Sequence, residues 1–418
     1  MKVLWILNMV LPKVAKEIGI NSSFSGGWLV DLSNKIAEDH NIELATMTYY
    51  SGNEYKDITV EGIRNFIFPG GGKRLLFNSK KTVIDCQKVI DEFKPDLIHI
   101  HGTEYAIGYS VLKTNTKVPV LLTIQGVLTR ISEEYYGGLK FKELLKVNTI
   151  KEHLKLKNIF FTKRLFKMNA KREQYILKNV KYVTGRTDWD KSVMLSINPS
   201  LKYYRSHYSL RGEFYDSDKW DYEKIQLHTI YAGASTYTLK GFHILLKALR
   251  IVKYKYNDVK LFMPGFKAKD GKIANPNGYG KYINKLIKKM DLIDNVEFVG
   301  SLSALEVTRY LCKSHICVVT SAMEGLSATI NEAMMIGTPS ICPFRGGMSS
   351  SFVNGVSGFH YDYPEYPMLA ERIMNLFENR ELCESFSKEG QKLILERHDR
   401  KKNVEVLKNI YNEILSGE

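Results

Sequence analysis

Two carboxylates eight residues apart, Glu324 and Glu332, stand in the stretch EGLSATINEAMMIGTPS, Glu324 to Ser340. Glutamate is seldom buried without a partner, so Glu332, set among Ile330, Ala333, Met334 and Ile336, calls for one. The apolar run ICVVTS (316–321) reads as a strand, and a helix over about 328–336 follows it. Gly325, Leu326, Ser327 and Ala328 then form the turn into that helix. Free amides and the dipole at a helix N-terminus make a ready anion site. A cation stands in AGASTYTLKG (232–241), where Gly233 admits close backbone approach and Lys240-Gly241 leads into a helix. The spacing is not that of the GxxxxGK[ST] phosphate loop. A diphosphate held by Lys240 and the helix amides would place Glu332 within reach of a ribose and Glu324 beyond the phosphates. The same spacing also fits a solvated lysine, a solvated loop acid and an exposed helical acid.

The elements that would position these residues alternate along the chain. VLWILN (3–8), IELATMTYY, DLIHIHG (96–102), PVLLTIQG (119–126) and KYVTGRT (181–187) read as strands separated by helical patterns such as KTVIDCQKVIDEF. A second series begins at LHTIYAGA (227–234) and continues through VKLFMPG (259–265), NVEFVGS (295–301), ICVVTS and PSICPF (339–344). Unbroken apolar strands followed by helices mark parallel sheets covered on both faces. The fold class is therefore α/β, with two Rossmann-like parallel-sheet domains facing across a cleft. In such sheets, ligands bind beyond the carboxyl ends of the strands. The expected division is an N-terminal domain over 1–207, a polar linker over 208–226 and a C-terminal domain over 227–395. A terminal helix over about 396–418 is expected to pack back on the first domain.

A chain of 418 residues is long for one core and suits two domains. Its five cysteines lack metal-site spacing, which argues against a disulfide scaffold or a zinc site and for a reducing compartment. No apolar run approaches the ~20 residues that span a bilayer, and MKVLWILNMVLPKV reads as a first strand rather than a leader. The formal net charge is +15, of which residues 139–173 supply +8, with eleven Lys/Arg against three Glu. Leu, Ile and Phe interleave with those cations, a pattern that fits an anionic membrane surface as well as a solvated helix packed on its domain. No recognition motif accompanies the charge, so nucleic acid is not an expected partner. The expected localisation is cytoplasmic, peripheral on the inner face of the plasma membrane.

The run TSAMEGLSATINEAMMIGTPSICPFRGGMSSSFVNGVSGF (320–359) resembles the C-terminal signature of the retaining glycosyltransferase family 4, which has the GT-B fold. Glu-x7-Glu, Ala333-Met334, Gly337-Thr338-Pro339, Gly346-Gly347, Asn354-Gly355 and Gly358-Phe359 stand in the family's order. Gly26-Gly27 resembles its N-terminal glycine loop, DLIHIHG its strand ending in His, Lys240-Gly241 its donor-phosphate pair, and NVEFVGSLS (295–303) its segment near the nucleotide base. The resemblance implies that Glu332 holds the donor ribose, Glu324 contacts the donor sugar, and Lys240 neutralises the leaving diphosphate. Gly233, Ser235, Gly325, Leu326, Ser327 and Ala328 would surround the donor, and Gly26-Gly27 would approach the diphosphate or the acceptor. No metal or cofactor is implied, because lysine and helix-terminal dipoles stabilise the charge; the nucleoside-diphosphate sugar, UDP- or GDP-linked, is a substrate.

Three departures qualify that picture. Where the family has an arginine about six residues before the lysine, this chain has Ala234 and Ser235, leaving Arg345 or Arg186 as substitutes. Gln125 stands where many members have a histidine, so positioning rather than proton transfer is expected of it. His101, ending IHIHG, is a candidate cleft residue or a structural hydrogen-bonder. In GRTDWDK (185–191), Arg186 is a candidate for phosphate or acceptor contact, while Thr187 or Asp188 suits a helix cap. The reading is a retaining, metal-independent hexosyltransferase acting on a saccharide or polyprenyl-linked acceptor in capsule, O-antigen or other surface-polysaccharide assembly. Two alternatives stay open: a GT-B sugar-nucleotide epimerase, and a non-catalytic basic protein that binds membrane or nucleic acid on a degenerate scaffold.

Overall fold

The computed structural model describes every residue except 21–26, 72–75, 234–235, 270–271, 275 and 418. Contacts divide the chain into two units. The first comprises residues 1–129, 167–209 and 398–418, and the second 130–166 and 210–397.

The first unit is built on an eight-stranded sheet. Its strands are β1 (Lys2–Ile6), β2 (Glu43–Tyr50), β3 (Lys56–Val60), β4 (Ile63–Pro69), β5 (Leu97–His101), β6 (Val120–Thr123), β7 (Tyr182–Gly185) and β8 (Lys202–Arg205). Their order is 3-4-2-1-5-6-7-8, and all pairings are parallel except β3 with β4. β1 and β5 are buried along nearly their whole length, which is why they read as continuous apolar runs. The helix Arg400–Ser416 shares this core. Tyr411 is fully buried, its hydroxyl accepting from the Trp5 indole at 3.0 Å and lying 2.7 Å from His99 Nδ1.

In the second unit, β9 (Gln226–Ala232), β10 (Lys260–Pro264), β13 (Val296–Gly300), β14 (Ser314–Val318), β15 (Ser340–Pro343) and β16 (Phe359–Tyr361) form a six-stranded sheet in the order 13-10-9-14-15-16. Every pairing is parallel. A separate hairpin joins β11 (Ala268–Lys269) to β12 (Lys272–Ile273). The chain order runs outward from β9 on one side and from β14 on the other. The switch point therefore lies between these two strands, where ligands of open α/β sheets bind.

The basic stretch divides differently from the sequence expectation. Placed by chain order in an N-terminal domain over 1–207, its residues 139–166 instead belong to the second unit. The anchor is a backbone seam: Thr238 Oγ1 donates to the Tyr135 carbonyl at 2.9 Å, and His243 Nε2 and the Tyr363 hydroxyl donate to the Gly137 carbonyl at 2.9 and 2.6 Å. The polar stretch expected to be a linker also carries structure, for Gly212–Asp216 is helical and the Trp220 indole donates to the Ser314 carbonyl at 2.9 Å.

Candidate active site

The loops that follow β9 and β14 are tied together and bring Lys240 to Glu324. Thr320 Oγ1 donates to the Lys240 carbonyl at 3.1 Å, and the Ala322 amide donates to the Leu239 carbonyl at 2.7 Å. Gly241 adopts φ +68°, and any Cβ there would collide with the Thr320 carbonyl oxygen. Only glycine serves both demands. Lys240 Nζ then donates to Glu324 Oε1 at 2.7 Å, with the two side chains 24 % and 23 % exposed. Burial pushes the lysine ammonium toward its neutral form, but the Glu324 charge and hydrogen bond outweigh it and hold the group above its usual range. Glu324 Oε2 is buried and has no hydrogen-bond partner.

The Gly346-Gly347 turn supports this loop. The Gly347 amide donates to the Glu324 carbonyl at 3.0 Å, and a Cβ on Gly347 would come within 2.9 Å of the Gly325 backbone. Gly346, at φ +59°, faces the same carbonyl. The pair of glycines thus fixes where the carboxylate starts from.

Ser327 is the N-cap of the helix Ala328–Ile336, but its hydroxyl makes no capping bond. The first-turn amides are left without side-chain capping, the arrangement that suits an anion. Gly233, at the end of β9, lies against this turn, since a Cβ there would meet Thr329 Oγ1 at 3.3 Å. Gly325 and Leu326 are buried in the same turn, and Ala328, which follows Ser327, is exposed.

Glu332 finds its partner within the protein. Its Oε1 accepts from Arg211 Nη2 at 2.7 Å. Burial pushes the Glu332 carboxyl above the usual range, and Arg211 pulls it part of the way back. Arg211 was not anticipated from sequence, because it stands in the polar stretch 208–226 with no motif around it. The neighbouring Asn331 was also missed. It is fully buried, and neither its amide oxygen nor its amide nitrogen is hydrogen-bonded. Arg345, a candidate substitute cation, donates from Nε to the Ala322 carbonyl at 3.4 Å and pairs with Glu134 at 3.1 Å.

The remaining described candidates lie in the first unit. His101 ends β5 at 3 % exposure, its ring 4.5 Å from Trp5 and 3.9 Å from His99 between centroids. Burial pushes its imidazole down to about 3, so the ring is neutral at physiological pH and unsuited to acid–base work. Gln125 Nε2 donates to the His101 carbonyl at 3.4 Å. Arg186 is engaged on both terminal nitrogens, by the Tyr208 hydroxyl and the Gln125 carbonyl, each at 2.6 Å. Thr187 caps the helix Asp188–Ile197 in a reciprocal box with Asp190. Glu104 had no role in the sequence reading. Its carboxyl accepts from the Gly126 amide at 3.2 Å, its Oε2 has no partner, and burial pushes it up to about 7. Gly27 opens the helix Gly27–Ala37, whereas Gly26, Ala234 and Ser235 lie outside the described residues.

Residues 218–393 match the family model described as Glycosyl transferases group 1. An uncharacterized glycosyltransferase of Methanocaldococcus jannaschii is 22 % identical over 410 residues, covering 97 % of this chain and 99 % of that protein. The Vi polysaccharide biosynthesis protein VipC/TviE of Salmonella typhi is 31 % identical over 102 residues, 23 % of this chain and 17 % of that protein. Among solved structures, the sucrose-phosphate synthase of Thermosynechococcus elongatus superposes with a TM-score of 0.74 over 100 % of both chains at 13 % identity. Anabaena HepE, solved with UDP and glucose, superposes at 0.65 over 99 % of both chains at 15 % identity. The two parallel-sheet Rossmann-like α/β units match GT-B glycosyltransferase structures in fold. The residues that match the group 1 model all lie in the second unit.

Proposed function

We propose that the protein transfers a hexose from a nucleoside-diphosphate sugar to a saccharide or polyprenyl-linked saccharide in cell-surface polysaccharide assembly, with retention of anomeric configuration and without a metal. The observation that carries the reading is the Lys240–Glu324 pair, set at the switch point beside a helix N-terminus that lacks a side-chain cap. A donor diphosphate is the anion this arrangement suits. Lys240 would turn from Glu324 toward the leaving phosphate, and the amides around Ser327 and Ala328 would share its charge. Glu324 Oε2, buried and unbonded, would accept from a donor-sugar hydroxyl. Glu332 would take the ribose hydroxyls, sharing its carboxylate with Arg211 or releasing it.

In this scheme the leaving phosphate accepts the acceptor's proton on the same face, so no side chain is needed as general base. The buried His101, packed against the rings of Trp5 and His99, agrees with that assignment, and Gln125 and Arg186 act by positioning. The partial likeness to a Vi polysaccharide biosynthesis protein supports the surface-polysaccharide assignment. A panel of UDP- and GDP-sugars, scored for thermal stabilisation and slow hydrolysis with Glu324→Gln and Glu332→Ala alongside, tests the reading. One donor stabilises the wild type, Glu332→Ala loses that stabilisation, and Glu324→Gln loses hydrolysis. A donor sugar converted without any acceptor being present would favour the epimerase instead.

A further inference from the structure

The helices Phe141–Lys146 and Ile150–Leu154 belong to the second unit and sort their side chains by chemistry. Residues 140–157 hold two acids, and both face the body of the unit. Glu143 accepts from the Tyr282 hydroxyl at 2.8 Å, and Glu152 accepts from the Gly278 amide at 3.0 Å. Leu144 and Val147 are buried on the same side. The outward side carries the opposite selection. Ile150 and Leu154 are 82 % and 81 % exposed, and Phe141, Leu145 and Leu156 are also exposed. Between them stand Lys140, Lys142, Lys146, Lys151, Lys155 and Lys157, all exposed and none in an ion pair among the described residues. The helix that anchors them, Gly278–Lys289, adds exposed Lys281, Lys285, Lys288 and Lys289 and contains no acid.

We infer that this outward face of residues 140–157 docks on an anionic lipid bilayer, with the five apolar side chains entering the headgroup boundary and the lysines on the lipid charges. Exposed patches of large apolar side chains are uncommon on soluble surfaces and mark interaction sites. The charge selects among occupants. A second copy of this face would set at least six unpaired lysines against six more. A nucleic acid would satisfy the lysines but leave Phe141, Ile150 and Leu154 in water. A bilayer of anionic lipid accommodates both kinds of group. No described helix is long and apolar enough to cross a membrane, so attachment here is to the surface. The face is joined through Tyr135 and Gly137 to the loop that carries Lys240, so the membrane contact belongs to the unit with the candidate donor site rather than to the first unit. This inference names a partner for the proposed transferase but stands on separate residues.

Flotation of the full chain with vesicles of phosphatidylcholine alone, and of phosphatidylcholine with phosphatidylglycerol, tests it. The chain floats with the anionic vesicles, not the neutral ones. Ile150→Asp with Leu154→Asp, and separately Lys151→Glu with Lys155→Glu, each lower the bound fraction by roughly tenfold or more. Thermal melting of each variant as for the wild type shows that the fold is retained, and donor stabilisation by nucleotide sugars is unchanged. A folded wild type that stays at the bottom with anionic vesicles overturns the inference. So does equal flotation of wild type and both variants, a dimer broken by the same substitutions, or tight binding to a DNA oligonucleotide with no flotation. Flotation without donor stabilisation would sink the transferase reading and leave this one standing.

Discussion

Arg211 Nη2 lies 2.7 Å from Glu332 Oε1, closing an ion pair between the segment that precedes the helix Gly212–Asp216 and the helix Ala328–Ile336. The carboxylate that sequence assigns to a ribose therefore has a partner within the protein itself. Under the proposed function, a donor ribose would either share that carboxylate with Arg211 or displace the arginine.

Arg211→Ala removes the counter-charge. The Glu332 carboxyl, already above its usual value of 4.5, moves further up. A carboxyl raised in the folded state contributes stability below about pH 4.5 that is lost as pH rises through the folded value. The variant's deficit in urea unfolding is therefore small near pH 4 and grows to about 1–3 kcal/mol at pH 7.5. An equal deficit at both pH values would show that Arg211 acts through packing alone.

Glu104 has a pH signature of its own. With its carboxyl at about 7, the wild type loses stability between about pH 4.5 and pH 7 as the buried group ionises. Glu104→Gln keeps the shape without the charge, so it raises stability at pH 8 by on the order of 2 kcal/mol and changes little at pH 4. The difference between the two denaturation curves across that range is the measurement. A destabilised variant at pH 8 would mean that the ionised form is the one the fold holds.

Gly241→Ala sets a methyl group on the Thr320 carbonyl oxygen at a positive φ. The loop must open, at a cost of roughly 3 kcal/mol or more. The same movement breaks the registration of Lys240 with Glu324, so donor stabilisation falls as well. A variant that melts like the wild type would contradict the tight approach of these two loops.

Asn331→Leu replaces a fully buried amide with no hydrogen bonds by an apolar side chain of similar size. Removing an unsatisfied buried polar group stabilises the fold by about 1–2 kcal/mol. A loss of stability in chemical denaturation would contradict the view that this amide is unsatisfied.

The strands of both sheets were legible because central parallel strands are buried on both faces and read as apolar runs. β3, β4, β8 and β16 were not: β3 and β8 are half-exposed edge strands, Arg64 and Asn65 interrupt the apolar run of β4, and β16 has only three residues. Lys240 and Glu324 were each legible as candidates from their places after two strands, but their ion pair was not; it arises because β9 and β14 are neighbours at the switch point. Arg211 and Glu104 were not legible. Each acts through a partner distant in sequence or through burial, and neither leaves a local pattern. The placement of residues 130–166 was lost for the same reason. Its anchors are backbone carbonyls of Tyr135 and Gly137, which carry no side-chain signal.

The central claim is that Lys240 is poised on Glu324 to receive a donor diphosphate. Calorimetric titration of UDP and GDP into the wild type and into Lys240→Met tests it most directly. One nucleotide binds the wild type, and loss of a charge-assisted bond to the diphosphate weakens it about 10- to 100-fold in Lys240→Met. Equal affinity of the two proteins for that nucleotide, or no binding of either nucleotide to the folded wild type, would contradict the claim.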